Sequence, residues 1–171
     1  GVRRQGDAVI RPYRRGGLMA KVNARVYASA ERFRGELRVH RALWEAGFPT
    51  VEPLGFAWRK RGFGVEGLYF TRFTGAKPWP SEWSAPLAGE LAKAIGALCN
   101  WGLWAPDLNA TNVMWGADGL VLLDWDRATW TRGALMPRYH ARLARSLAKL
   151  GAPEAVSAVF AQGLGIGSSR S

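Results

Sequence analysis

Residues 104–126, WAPDLNATNVMWGADGLVLLDWD, constrain this chain more than any other stretch. Asp107 is followed five residues later by Asn112, and an apolar run over 120–123 ends on Asp124. Between them the composition reads as a hairpin: a short strand over 112–115, a turn at Gly116-Ala117-Asp118-Gly119, and a β-rich second strand over 120–123. Such a hairpin brings Asn112 and Asp124 near one another at its open end. The residue types suit one chemistry. A carboxylate such as Asp107 orients an attacking hydroxyl and takes its proton late. An amide oxygen (Asn112) and a carboxylate (Asp124) are hard oxygen ligands of the kind Mg²⁺ takes, with nucleotide phosphates and water completing the shell. Singly, each residue reads as well as a helix cap or a strand end. In this order and spacing they point to phosphoryl transfer onto a hydroxyl, in the manner of the protein-kinase type of phosphotransferase.

The rest of the chain must supply a scaffold for that segment. At 171 residues, 48% apolar and 22% charged, it has material for a substantial core and is not of disordered composition. It holds no apolar run of the roughly 18 residues that a membrane span needs, and no signal peptide is legible. The lone Cys99 excludes an internal disulfide; within a helical pattern it reads as a structural thiol, not a nucleophile. The first 61 residues carry fourteen Arg or Lys against five acids, the remaining 110 ten against eight. A net charge of +11 concentrated at the front points to polyanions: nucleotide phosphates, an anionic membrane surface or nucleic acid.

Residues 2–13 read as two short strands around a Gly6-Asp7 turn, followed by the basic turn Arg14-Arg15-Gly16-Gly17. The spacing of Phe33, Leu37, His40 and Trp44 predicts a helix over 29–46, capped by Ser29 and stopped by Gly47. Glu36 lies beside its apolar face, where a lone carboxylate needs a cationic partner; His40 reads as a packed core histidine. Strands are expected over 51–57 and 67–73, joined by the basic loop Arg59-Lys60-Arg61-Gly62. Residues 74–86, rich in proline, read as a linker, with Trp79 and Trp83 as interfacial candidates. Helices are expected over 87–101, with Leu87, Leu91, Ala94, Ile95 and Leu98 on one side, and over 139–150 and 153–162; residues 127–138 read as irregular.

The runs VIRPYRRGGLMAKV, FRGELRVHRALWEAGFPTVEPLG, LWAPDLNATNVMW, LVLLDWDRATW and ARLARSLAKL together resemble the lipopolysaccharide kinases, most nearly those acting on 3-deoxy-D-manno-octulosonic acid (Kdo). The likeness extends over about residues 8–150, and its specific parts are the double-Arg-double-Gly segment and the D-L-N-x-x-N and D-x-D-R motifs. It implies an α+β, protein-kinase-like two-lobed fold: a small, truncated β-rich N-lobe over about 1–73, a hinge over about 74–86, and a mainly helical C-lobe over about 87–171. It implies transfer of the ATP γ-phosphate, with Mg²⁺, to a hydroxyl of Kdo on lipid A. The enzyme would be peripheral on the anionic cytoplasmic face of the inner membrane. On the same resemblance Asp107 is the base, Asn112 and Asp124 are the magnesium ligands, and Asp126 completes the D-x-D pattern beside the metal. Glu36 is the helix carboxylate, while Arg11 and Lys21 are both candidates for the phosphate-facing cation. Where the family has a His two residues before the catalytic Asp, this sequence has Ala105, which bears on the loop's geometry more than on its chemistry. The chain also opens, on Gly1, too late to hold most of the phosphate-covering Gly-rich loop.

Three other readings remain at this point. A kinase of another small hydroxylated molecule, such as an aminoglycoside, predicts an acidic pocket, which a basic chain does not suggest. A pseudokinase scaffold predicts partner binding without nucleotide. A nucleic-acid-binding module accounts for the charge but not for three spaced ligands, and no nucleic-acid motif is legible.

Overall fold

The computed structural model describes residues 2–13 and 26–166. The chain divides into two compact units. The first comprises residues 1–47 and 51–74, the second residues 48–50 and 75–171.

In the first unit, β1 (Arg3–Gln5) and β2 (Ala8–Pro12) form the expected hairpin, with Gly6 taking φ 59° in the two-residue turn. Strands β3 (Pro53–Arg61) and β4 (Gly64–Arg72) form a second hairpin, and β2 pairs with β4 to give an antiparallel sheet ordered β1-β2-β4-β3. The basic segment expected as a loop is therefore mostly strand. Arg59, Lys60 and Arg61 pair with Glu66, Val65 and Gly64. Arg59 and Arg61 both bond to Glu66 across the ladder, and those bonds hold its carboxyl below the usual range. Only Gly62, at φ 56°, and Phe63 turn the chain.

Helix α1 (Glu31–Glu45) has Ala30, not Ser29, at its N-cap, and buries Phe33, Glu36, Val39, His40 and Leu43. Of the expected stripe Phe33 and His40 are buried and Leu37 packs against the core, but Leu43 takes the place of Trp44, which is 46% exposed. Alternate β4 residues face the core, and Val65 and Tyr69 are buried with Phe33, Tyr13, Tyr27 and Ala30. Gly67 lies between them. A Cβ there would stand 2.5 Å from the Phe33 ring and 2.9 Å from Tyr13, so glycine is what lets the Tyr13 and Phe33 rings stack at 4.1 Å.

The second unit is built on α2 (Ala85–Asn100), which Ser84 caps by accepting from the Leu87 N–H at 3.4 Å and which Gly102, at φ 70°, ends. Its buried face adds Ala88 and Ala92 to the expected positions, and Ala92 lies against Gly163 of α4 (Glu154–Gly163). The remaining helix is α3 (Met136–Lys149). From Gly75 on, the segment expected as a linker belongs to this unit: β5 (Lys77–Pro78) pairs with a strand of the central hairpin, and a 3₁₀ turn, Trp79–Ser81, follows. Trp79 is fully buried, with Trp83 edge-on at 5.0 Å, so it is a core residue. The segment expected as irregular contains β9 (Thr129–Trp130), paired with β6 (Leu103–Trp104). No helix among the described residues is long and apolar enough to cross a membrane.

Candidate active site

The hairpin at the centre of the second unit is β7 (Val113–Gly116) and β8 (Gly119–Leu122), closed by Ala117 and Asp118. Asn112 is not in the strand as expected but ends a 3₁₀ turn, Ala110–Asn112, whose N-cap Asn109 accepts from the Thr111 N–H at 2.8 Å. The register still carries past the strand: Leu123 N–H donates to the Asn112 carbonyl at 2.9 Å, and Asp124 is the next residue. On the other side, the Asn112 and Asn109 side-chain amides donate to the Asp107 carbonyl at 3.1 and 2.9 Å. Hydrogen bonds thus join Asp107, Asn112 and the residue preceding Asp124 into one short relay. Because Asn112 spends its NH₂ on a carbonyl, its Oδ1 is the atom suited to a cation.

Two backbone positions here are unusual. Asp124 sits at φ 69° and Arg127 at φ 60°, the left-handed region that costs a non-glycine residue about 1–2 kcal/mol. What holds them there is Trp125, 1% exposed, whose Nε1–H donates to Thr50 Oγ1 at 2.9 Å. Thr50 Oγ1 in turn donates to the Leu122 carbonyl at 2.9 Å, and the Ala128 N–H closes the turn onto the Trp125 carbonyl at 3.0 Å. The buried indole pins the turn, and Asp124 and Asp126 flank it. Strain of this kind, stored beside a carboxylate, marks a site where position matters more than comfort.

Helix α3 fixes the Asp107 loop from behind. The Tyr139 hydroxyl accepts from the Ala105 N–H at 2.9 Å and donates to the Leu103 carbonyl at 2.8 Å. One turn on, Arg142 Nε–H donates to the Leu108 carbonyl at 2.8 Å; Ser146 Oγ, another turn on, accepts from the Ala110 N–H at 3.0 Å. Ala105 is fully buried, so at the place where a His was expected to brace the loop, a tyrosine from another element holds the backbone. Burial raises the Tyr139 phenol, keeping it protonated as a donor.

Asp107 itself is gripped by Arg127. Nε–H donates to Oδ2 at 2.8 Å and the Nη2 group bonds Oδ1, a two-point fork on a carboxylate that is 22% exposed. This pairing across 20 residues is the feature that sequence reasoning missed. The D-x-D-R motif contained Arg127, but a contact set by a left-handed turn has no periodicity to reveal it.

In the first unit, Arg11 on β2 forms an ion pair with Glu36 on α1, whose side chain is 1% exposed. The Arg11 guanidinium lies 5.5 Å from the Tyr69 ring centre and 5.6 Å from that of Tyr13. Burial, with the Glu36 charge nearby, pushes both phenols up. His40 is buried and bonded at both nitrogens. Nε2–H donates to the Val51 carbonyl at 2.9 Å, so Nδ1 accepts from the Tyr69 hydroxyl at 2.9 Å. Burial lowers its pKa to about 4, as suits a neutral core residue. Lys21 and the double-Arg-double-Gly segment lie outside the described residues. Cys99 is half-buried, and burial raises its thiol, as suits a structural role.

Among the described residues no group of three or more His, Cys, Asp or Glu is arranged to hold a metal ion. The donor set here is different: one amide oxygen, Asn112, and one carboxylate, Asp124, a pair that fits Mg²⁺ when phosphate oxygens share the shell.

No family model matches the chain. Curated relatives do. A 3-deoxy-D-manno-octulosonic acid kinase of Xylella fastidiosa (strain M23) is 31% identical, over 91% of this chain and 67% of its own length. Proteins of the same name from Xanthomonas campestris pv. campestris (strain B100) and Xanthomonas oryzae pv. oryzae (strain PXO99A) are 32% and 34% identical, over 85% of this chain and 63% of theirs. The chain belongs to the 3-deoxy-D-manno-octulosonic acid kinase family. It spans about two thirds of the length of these relatives. Solved structures agree on the fold. The crystal structure of monomeric WbdD superposes with a TM-score of 0.54 at 20% identity, over 94% of this chain and 42% of that one. A divergent Toxoplasma kinase lacking the glycine-rich loop gives 0.57 at 14%, over 91% and 59%. The fold is therefore the kinase-like α+β architecture expected from the sequence, and the chain is a member of a kinase family.

Proposed function

We propose that this chain transfers the γ-phosphoryl group of ATP to a hydroxyl of Kdo carried on lipid A, a step of lipopolysaccharide core synthesis. The observation that supports the reading is the relay of hydrogen bonds joining Asp107, Asn112 and Leu123, with Asp124 the next residue and on a strained backbone. In the reaction the acceptor oxygen bonds to the γ-phosphorus, the bond to the β,γ-bridging oxygen breaks, and ADP leaves. The acceptor proton passes to the Asp107 carboxylate. Asn112 and Asp124, with Asp126 close by in sequence, are the residues to hold Mg²⁺, which when bound offsets the charge of the phosphates. Arg11, anchored by Glu36, is the cation assigned to the nucleotide phosphates, with Lys21 the second candidate.

A lipid-borne acceptor calls for an enzyme that works at a membrane surface, here peripherally on the cytoplasmic face of the inner membrane. The charge of +11 supports that reading. So does the β3–β4 hairpin tip, where Phe63 is fully exposed beside Lys60 and Arg61.

The test is phosphate transfer from labelled ATP to Kdo-bearing lipid A by this chain and its Asp124→Ala variant. The parent labels the lipid; the variant, lacking a metal ligand, neither labels it nor binds MgATP in calorimetry. Unchanged MgATP affinity in Asp124→Ala removes that residue from the site.

A further inference from the structure

Helix α3 carries Arg138, Arg142, Arg145 and Lys149 and no Asp or Glu. Spacings of four, three and four residues lay these cations along one ridge, about 16 Å long. The arrangement does nothing for folding. Like charges at such spacings repel, and Arg138 stands in the first turn, where the positive end of the helix dipole disfavours a cation. An acid one turn away would relieve both effects, and the helix has none. Among the described residues no carboxylate pairs with any of the four. Arg138 lies over the Trp104 ring at 4.1 Å, Arg142 Nε–H donates to the Leu108 carbonyl, and Arg145 Nε–H donates to the Ala141 carbonyl of its own helix at 3.1 Å. A ring and two neutral carbonyls do not cancel these charges. Arg138, Arg145 and Lys149 are exposed, and Arg142 is half-buried.

The ridge also has a definite place. Arg138 reaches Trp104, Arg142 reaches Leu108, and Ser146, the residue after Arg145, bonds the Ala110 N–H. The four cations thus border the loop that holds Asp107, and an anion held on them stands beside the base candidate. The nucleotide phosphates already have their cation in Arg11 and their metal ligands in Asn112 and Asp124, which leaves the ridge to the other reactant.

We propose that this ridge of α3 is the docking surface for the acceptor lipid, and that the groups it binds are phosphates carried on that lipid. This rests on the phosphotransferase reading above and deepens it. Charge complementarity names the occupant: a row of cations without acids suits a ligand with more than one phosphate, each arginine offering two parallel N–H donors and the lysine a point charge. The ridge therefore selects a phosphorylated glycolipid over the same glycolipid without phosphates. It does so through binding, because none of its side chains donates to or accepts from the reacting hydroxyl.

A cycle on enzyme and acceptor together tests this. Transfer from MgATP is measured to Kdo-bearing lipid A and to the same glycolipid stripped of its phosphates, both in neutral detergent micelles. The parent is compared with the double variant Arg145→Gln/Lys149→Gln, which spares the Arg142 bond to the loop. The parent has the lower KM for the phosphorylated lipid, by about tenfold or more, the span of two or more exposed ion pairs. In the variant that KM rises about tenfold, while the KM for the stripped lipid, the KM for ATP and kcat all hold. An equal change on both lipids means that the two residues only support the helix, and overturns the proposal. A parent without preference between the lipids overturns it too, and leaves the phosphotransferase reading standing. Vesicles of phosphatidylglycerol without acceptor bind parent and variant alike; weaker binding of the variant there, with its acceptor KM unchanged, assigns the ridge to the bilayer and overturns the proposal. A parent that transfers to neither lipid overturns the phosphotransferase reading itself and the proposal with it.

Discussion

At the scale of single residues, the chemistry rests on side chains whose surroundings set what each can do. Asp107 is held by its backbone carbonyl, which takes two amide bonds, and by its carboxylate, which takes the Arg127 fork. Asp107→Ala removes the carboxylate but not the carbonyl, so the loop keeps its amide bonds. The variant is expected to bind MgATP normally in calorimetry while its turnover falls about 100-fold or more; turnover at the parent's rate would remove Asp107 as the base. His40 gives a pH signature. It titrates near 6.5 in the unfolded chain and near 4 when buried, so between these values the unfolded state binds more protons. Stability is therefore full above about pH 6.5 and falls as the pH drops towards 4, by up to about 1.4 kcal/mol per unit. Urea midpoints at pH 7 and about pH 5 measure this, and His40→Gln should flatten the dependence. Equal slopes in the two proteins would refute it.

At the scale of elements, α3 acts as a rail for the Asp107 loop. Tyr139, Arg142 and Ser146 recur at three and four residues, the spacing that puts side chains on one helix face, and each bonds a backbone group between Leu103 and Ala110. Tyr139→Phe keeps the ring and deletes only the hydroxyl, leaving the Ala105 N–H and the Leu103 carbonyl without their partner. It should cost about 1–3 kcal/mol of stability and lower turnover roughly tenfold by loosening the loop, with MgATP affinity preserved. Denaturation and steady-state kinetics read the two effects. Parent-like turnover would reduce Tyr139 to a packing residue. The Arg11–Glu36 pair is the corresponding link in the first unit, joining β2 to α1.

At the scale of the whole molecule, the basic front half is the property to explain, and a charged surface acts through association more than through folding. Binding to vesicles containing anionic phosphatidylglycerol should exceed binding to neutral ones and weaken with salt. Phe63→Ser should reduce it without changing stability, since the ring is fully exposed. Equal sedimentation with both vesicle types would count against a membrane role. The sequence by itself determined the helices, the central hairpin and the order of Asp107, Asn112 and Asp124, because period and turn chemistry are local and survive without a fold. It also led to the kinase-like class, since that spacing has few other uses. Only the tertiary structure decided that Leu43 and not Trp44 is buried on α1, that residues 75–86 pack as part of the second unit, and that Arg59–Lys60–Arg61 is strand. The first two depend on partners far along the chain, and the third on a two-residue turn at Gly62 and Phe63 that lets the basic residues pair with Glu66, Val65 and Gly64. Distant partners likewise set the Arg127 fork, the Trp125–Thr50 bond and the Tyr139 brace, which span 20, 75 and 34 residues. Contacts at such separations are made by the packing of elements, and no local pattern encodes them.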